Sequence, residues 1–276
     1  MSVRQKVIMM LEFTKLHKNF QRFFRVVPAL TEELVNEAYR VRHSVYCEDL
    51  KWEAVREDGF ETDEYDNQSM HCLLQSVQTN EFVGCIRMVH GNPSDLSAPL
   101  PFQIACEKTL DPGIPDPELQ QRRAIAEVSR LAVIGKYRRR PDEKDRAVKI
   151  SESDYGTIHR PRFPYIPVGL YMGMLEMSRR AGIDTLYILT EPSLAGHFCK
   201  LGGKLNPIGG AIEHRGTRAP YQMKISEVLK GMNMLMRPLN KVIVRDIELA
   251  YKEAEERSGK PIIFARDFMP AAVPGR

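Results

Sequence analysis

The sequence has no long apolar run. Val7 to Leu11 is broken by Glu12, far short of the roughly 20 residues of a membrane span or of a leader's apolar stretch. The expectation is a cytoplasmic protein without a transmembrane segment, though peripheral membrane contact stays open. Cysteine is scarce: Cys47, Cys72, Cys85, Cys106 and Cys199, widely spaced and without a C-x-x-C pair. Neither a disulfide framework nor a cysteine zinc site is indicated. The seven histidines show no H-x-x-x-H spacing, so no metal site is expected. Net charge is small as well, with 40 Lys and Arg against 36 Asp and Glu, or +4. That excess is too slight to point to nucleic acid as a partner. Repeats and low-complexity tracts are absent.

What is present suits a folded protein of one large domain. The chain has 276 residues, 43% of them hydrophobic, enough for a substantial core. Residues 1–24 read as a helical arm, followed by a short strand at Phe24 to Val27. Thr31 opens a helix whose Leu34, Ala38, Val41 and Val45 recur near helical spacing. Residues 48–67 read as an acidic loop. His71 to Val77 and Glu81 to His90 read as a hairpin turning at Gln78-Thr79-Asn80. A proline-rich excursion spans Asn92 to Pro117, and Ile125 to Ile134 is a central strand. Residues 136–166 read as an insertion loop. Val168 to Arg180 is a helix ending at Gly182, Asp184 to Thr190 a strand, and Pro192 to Leu201 a short helix. Lys204 to Ile212 and Ala219 to Ile225 read as strands, and Asp246 to Arg257 as a charged helix. The order predicts an α/β plan with a mixed sheet.

The small net charge conceals two opposed segments. From Glu48 to Asp66 nine acids face two bases, a net of −7. From Arg122 to Arg146 nine bases face four acids, a net of +5. Each block can be a solvated loop. In the acidic one, Tyr46, Trp52, Phe60 and Tyr65 interleave with the carboxylates, a composition that can also cage a cation.

The landmarks Arg42, Tyr46, Trp52, Glu61, Asp63, Asp66, Arg87, Glu127 and Arg130 form local text: R-x-x-V-Y-x-x-x-x-x-W, E-x-D-x-Y-D, G-x-x-R and E-V-S-R. This resembles the acyl-homoserine-lactone (autoinducer) synthases, which are built on a GNAT-like acyltransferase fold. The spacing from Arg42 through Asp66 matches without a gap, with Tyr46 in place of the usual Phe. The arm, the excursion, the basic insertion and the C-terminal extension look closer to the acyltransferases associated with PEP-CTERM/exosortase loci. The resemblance covers residues 25–225, between the arm (1–24) and a C-terminal helical extension and tail (226–276). It implies a GNAT-like (acyl-CoA N-acyltransferase) fold with a mixed, twisted central sheet flanked by helices.

The implied function is transfer of a long fatty acyl chain from an acyl-carrier-protein thioester to a small amine such as an amino acid. Two alternatives stand beside it. One is a homoserine-lactone synthase using S-adenosylmethionine, and the other a non-catalytic acyl-carrier or lipid-sensing module. No tightly bound cofactor is implied. Acyl carrier protein is preferred to coenzyme A as donor because Val133 to Arg140 reads VIGKYRRR, without the Gly-rich pyrophosphate loop of the fold.

Catalytic candidates are Glu127, Ser129 and Arg130. Glu127 follows Ile125 and Ala126 on the central strand, where desolvation raises a carboxyl pKa and makes it a better base. The alternative is a buried Glu127–Arg130 pair. The two residues share a face of the strand only if a bulge lies between them. The resemblance implies such a bulge within Glu127 to Ala132, with main-chain N–H groups receiving the thioester carbonyl. Arg42, Tyr46, Trp52, Glu61, Asp63, Asp66 and Arg87 are candidates for the amine side, or for an ion-pair network that pins a flap. Trp52 either covers the site or anchors the core. Lys136, Arg138, Arg139 and Arg140 are candidates for docking the acidic carrier, or a solvated loop. Val168, Leu170, Tyr171, Met174 and Leu175 are candidates for an acyl pocket, or ordinary core.

Overall fold

Strand β1 (Phe24–Pro28) begins a sheet that runs through the whole molecule. The computed structural model describes residues 15–92, 94, 95, 97–115, 124–138, 156, 157, 160, 161 and 164–262. The first part of the N-terminal arm, Arg139 and Arg140, most of the insertion and the tail lie outside the described residues.

A short helix, α1 (Leu16–Phe23), leads into β1. Thr31 then caps α2 (Glu32–Arg42), its hydroxyl accepting from the Leu34 N–H at 3.3 Å, as N-cap threonines do. Val35, Ala38 and Val41 form its buried face. The helix runs directly into a π-helical turn, His43–Asp49. After the acidic loop come β2 (Ser69–Ser76) and β3 (Phe82–His90), joined by a tight turn with Asn80 in the left-handed region (φ 58°). The excursion holds one helical turn, α3 (Pro101–Ala105), and β4 (Ile125–Val133) follows. A small β5–β6 hairpin (Gly156–Thr157, Arg160–Pro161) precedes the long helix α4 (Tyr165–Arg180). Then come β7 (Thr185–Thr190), α5 (Pro192–Lys200), the two-residue strands β8 (Asn206–Pro207) and β9 (Ile212–Glu213), and β10 (Thr217–Lys224). Helices α6 (Ile225–Gly231) and α7 (Arg237–Ser258) end the described chain.

The main sheet has the order β1-β2-β3-β4-β7-β10-β8, with β9 paired to β10. Its pairs are antiparallel except β4–β7, which is parallel and bridged by the α4 crossover. The sheet is therefore mixed and flanked by helices. Helix α4 is buried on almost every side from Ile166 to Ser178. An apolar helix between a sheet and a second helical layer buries its whole circumference. Gly173 lets it approach: a Cβ there would lie 2.8 Å from both Cys72 Sγ and Val26 Cγ1.

Three elements differ from the sequence reading. The strand expected over Lys204 to Ile212 is reduced to two short pieces, because the chain breaks at Gly209. A Cβ there would sit 2.5 Å from the Thr109 carbonyl, where Leu110 and Gly209 form an isolated bridge. The helix expected from Val168 begins at Tyr165. The helix expected over Asp246 to Arg257 spans Arg237–Ser258, and its Leu239, Ile243, Ile247 and Tyr251 sit in the main core beside α4. Charge on its outer face had hidden that stripe.

Candidate active site

The π-helical turn after α2 is where the site begins. It carries Tyr46 toward β4, and the Tyr46 hydroxyl donates to the Leu131 carbonyl at 3.1 Å. The Tyr46 carbonyl in turn accepts from the N–H groups of Trp52 (2.8 Å) and Glu53 (3.1 Å), which starts the acidic loop. Trp52 stacks on Tyr46 with ring centroids 5.8 Å apart. It is half-buried at the cavity wall, covering Tyr46 from outside.

The acidic loop is closed by ion pairs. Arg42, fully buried at the end of α2, donates two hydrogen bonds to Asp66 (2.6 and 3.0 Å) and one from Nε to Glu61. Arg87 on β3 donates to Asp63 (2.6 Å) and Asp66 (2.9 Å), and its Nε to the Ser129 hydroxyl at 3.1 Å. Arg130 on β4 donates to Glu61 (3.1 Å) and Asp63 (2.9 Å). Three guanidiniums thus alternate with three carboxylates, all charge-assisted. The Arg42 guanidinium holds the Asp66 carboxyl well below the usual carboxylate range against the opposing cost of burial. His71 packs 3.7 Å from Asp66, and burial with two nearby arginines pushes its pKa down to about 3, so it is neutral. The net negative charge of the loop is therefore not an open cation site at Glu61, Asp63 and Asp66. Those three are matched one for one.

Strand β4 carries the bulge. Arg87 faces Ser129 and Cys85 faces Ala132, so Arg130 and Leu131 together oppose Ile86 alone. Arg130 takes φ 51°, a left-handed backbone that costs a non-glycine residue about 1 kcal/mol or more. The extra residue turns Arg130 so that it and Glu127 line one cavity. No hydrogen bond joins those two side chains among the described residues, so the alternative of a direct Glu127–Arg130 pair is not what forms.

Beyond the bulge the sheet opens. Strand β4 pairs with β7 only from Ile125 to Val128 against Thr185 to Ile188. Past those residues both strands continue apart, and a cavity of about 350 Å³ fills the split. On one side stand Val128 to Leu131, and on the other Ile188 to Glu191. Leu194 and Phe198 of α5, with Tyr171 of α4, form an apolar wall. Trp52, Arg215 and Arg218 lie at another edge.

Glu127 is buried in this cavity. Its carboxylate accepts from the Phe102 backbone N–H at 2.7 Å. Phe102 lies in the first turn of α3, where backbone N–H groups have no partner within the helix. Phe102 is itself fixed by stacking on Tyr187, centroids 4.6 Å apart. Burial pushes the Glu127 pKa up to about 7, only partly offset by the Phe102 N–H and by Arg87 and Arg130. A carboxyl near neutrality in a cleft is suited to take and return a proton.

The other candidates fall in different places. Of the proposed acyl-pocket residues, Tyr171 lines the cavity, stacked on Phe198 at 4.5 Å. Val168, Leu170, Met174 and Leu175 are buried in the main core and are not among the residues lining the cavity. Lys136 is ion-paired to Glu81 and Arg138 to Asp49. Among the described residues no cluster of His, Cys, Asp and Glu could hold a metal ion, and no described helix is long and apolar enough to cross a membrane. The sequence reading missed Phe102 and the basic group His214, Arg215 and Arg218, which also line the cavity. A cluster of two arginines and a histidine just before an apolar strand was the signal available for the latter.

Residues 41–144 match the family model of the acetyltransferase (GNAT) domain. No curated protein matches the chain. Among solved structures it is similar to TofI in a ternary complex with an inhibitor and MTA, at 16% identity and TM-score 0.52, covering 75% of this chain and 95% of that one. It is also similar to MesI, a CoA-dependent acyl-homoserine lactone synthase, at 19% identity and TM-score 0.49, covering 78% and 94%. FeeM, an N-acyl amino acid synthase from uncultured soil microbes, matches at 14% identity and TM-score 0.47, covering 78% and 97%. At these identities the likeness is one of fold.

Proposed function

We propose, on the premise that this chain is an acyltransferase of the GNAT fold, that it transfers a fatty acyl group from a carrier-protein thioester to the nitrogen of a small amine such as an amino acid. The observation that carries the reading is Glu127, a buried carboxyl with a pKa near 7 in the cleft where β4 and β7 part. An amine attacks only when neutral. Glu127 removes the ammonium proton, directly or through a water. The nitrogen then bonds to the thioester carbon, and main-chain N–H groups at the bulge receive the developing oxyanion. The C–S bond breaks, and the departing thiolate takes up the second proton that the nitrogen loses as it becomes the amide. The ion-paired loop fixes Arg130, Trp52 and Tyr46 around the acceptor, which limits the entropy lost on positioning.

A carrier protein suits this chain better than free coenzyme A. The turn after β4 places Asp49 against Gly135, where a Cβ would lie 2.9 Å from the carboxylate. That carboxylate is ion-paired with Arg138, so the guanidinium nearest the turn is already engaged and not open to a diphosphate. Phe198, Leu194 and Tyr171 offer an apolar surface to the start of the acyl chain. A second reading, a homoserine-lactone synthase using S-adenosylmethionine, is favoured by the ordered set from Arg42 to Arg130.

Mass spectrometry of lipid extracts from cells expressing the protein or its Glu127→Gln variant tests both. An acylated amino acid that disappears in the variant supports the first reading. An acylated lactone selects the second. Extracts identical in the two strains, together with tight binding of acyl carrier protein and no turnover, would leave only a non-catalytic module.

A further inference from the structure

The excess positive charge of this chain is concentrated at its start. From Met1 to Thr31 six bases accompany a single acid, Glu12, a net of +5 against +4 for the whole chain. Within that stretch Lys18 and Arg22 project from α1. Each lies two residues from a buried one, Leu16 or Phe20, and so about 200° around the helix from it. Helix α1 packs beside α7, and α7 repeats the pattern. Its Leu239, Ile243 and Ile247 are buried, while Arg237, Lys241 and Arg245 are exposed two residues away. No acid occurs from Phe13 to Thr31 or from Arg237 to Arg245. Lys18, Arg22, Arg237 and Lys241 form no ion pair among the described residues, and Arg22 lies 5.4 Å over the Phe23 ring. Arg25 and Arg245 are drawn toward Asp246, which is half-buried. The other α7 acids, Glu248, Glu253, Glu255 and Glu256, come later in the helix. Its first half is therefore basic and its second acidic.

Apolar groups are mixed into this basic face. Phe23 is half-buried beneath Arg22, and Met234, just ahead of α7, is 77% exposed. Residues 1–14 add Arg4, Lys6 and the apolar run Val7 to Leu11. That run is too short to span a bilayer, but bases interleaved with apolar side chains suit the boundary between lipid and water. Docking an acidic protein calls for the bases alone. The face also adjoins the acyl end of the site. Phe20 packs on Tyr165 with ring centroids 6.2 Å apart, and a Cβ on Gly169 would lie 2.8 Å from its ring. Both residues belong to α4, whose Tyr171 lines the apolar wall of the cavity.

We infer that the α1–α7 face binds the surface of an anionic phospholipid membrane. The bases are attracted to the lipid phosphates, each strengthening attachment about fivefold. The apolar groups enter the boundary between head groups and chains. The protein is then held where a fatty amide, poorly soluble in water, is released into lipid. Attachment itself does not depend on the acyltransfer reading, because it is measured without turnover.

Co-sedimentation of the full chain with vesicles of phosphatidylglycerol and phosphatidylcholine, mixed at about 3:7, tests the inference. The expected result is binding to the mixed vesicles, none to phosphatidylcholine alone, and a several-fold loss of affinity between about 50 and 300 mM salt. Lys18→Glu combined with Lys241→Glu is expected to weaken binding about tenfold or more. Lys108→Glu combined with Lys224→Glu changes the net charge equally at exposed positions, in the excursion and at the far end of β10. That pair should weaken binding less than about threefold. A thermal melt of the Lys18→Glu, Lys241→Glu protein close to wild type confirms its fold. The inference is overturned if the wild type ignores anionic vesicles, if phosphatidylcholine alone binds it equally, or if both double variants lose the same. It is overturned as well if vesicle binding survives in the Lys18→Glu, Lys241→Glu protein while the KM of a carrier-borne thioester rises, since the face then belongs to the acidic carrier. Vesicle binding as expected, without thiol release from any donor, would keep the membrane face and remove the acyltransfer reading.

Discussion

Glu127 accepts a hydrogen bond from the Phe102 backbone N–H at 2.7 Å, joining the central strand to the first turn of a five-residue helix in the proline-rich excursion. A glutamine at 127 retains an acceptor for that N–H but cannot take a proton. Glu127→Gln is therefore expected to keep the fold and lose about 10²-fold or more in kcat. The check is thiol release from an acyl thioester beside a circular-dichroism melt. Unchanged turnover would remove Glu127 as the base.

The same group sets a pH profile. With a pKa near 7, Glu127 is mostly protonated at pH 6 and mostly ionised at pH 8. The wild-type kcat/KM is expected to fall with unit slope in log units below about pH 7. A profile flat from pH 5.5 to 8 counts against the assignment.

Stability should move the other way. The folded-state pKa of Glu127 lies above its unfolded value, so the folded protein binds more protons between about pH 4.5 and 7. Relative to Glu127→Gln, the wild type is expected to lose on the order of 2–3 kcal/mol as pH rises through that window. Urea midpoints of both proteins at pH 4.5, 6 and 8 measure the difference, which should be complete by pH 8.

Arg42 neutralises two buried carboxylates from a fully buried position. Arg42→Ala leaves Glu61 and Asp66 short of a partner and is expected to cost about 3–5 kcal/mol. Arg42→Lys should recover little, because an ammonium cannot make the two parallel bonds to Asp66. Equilibrium denaturation reads both. A loss under 1 kcal/mol in Arg42→Ala would show that the network is not formed in solution.

The left-handed backbone at Arg130 permits a separation of effects. Arg130→Ala and Arg130→Gly both lose the pairs with Glu61 and Asp63. Only glycine adopts φ 51° without steric cost. The glycine variant is expected to be the more stable by about 1 kcal/mol, against the usual order in a strand. The opposite order would place the bulge elsewhere.

A donor held on an acidic carrier should show salt dependence. If the carrier docks through basic side chains, its KM is expected to rise several-fold between about 50 and 300 mM salt, while that of a small acyl thioester barely moves. Lys136 and Arg138 are already paired with Glu81 and Asp49, so replacing either alone should change the carrier KM less than salt does.

The sequence by itself determined the α/β plan, the hairpin of β2 and β3, the central strand and the identity of the charged set. The first three follow from periodicity and turn chemistry, which are local in the chain, and the charged set was picked out by its resemblance to the acyl-homoserine-lactone synthases. The family resemblance also implied a bulge on β4, without which Glu127 and Arg130, three residues apart, would point to opposite faces of the strand. The sequence left open whether Glu61, Asp63 and Asp66 form a cation site or an ion-pair network, because Arg42, Arg87 and Arg130 come from a helix and two strands that only the sheet brings together. Nor did it separate Tyr171 from Val168, Met174 and Leu175, because an apolar helix buried all round carries no mark of which side meets a cavity. Phe102 and Arg218 were illegible for the same reason. One reaches Glu127 through a backbone N–H, which every residue but proline carries. The other enters the site from β10, two strands away, where packing alone decides that a half-buried guanidinium lies over Trp52.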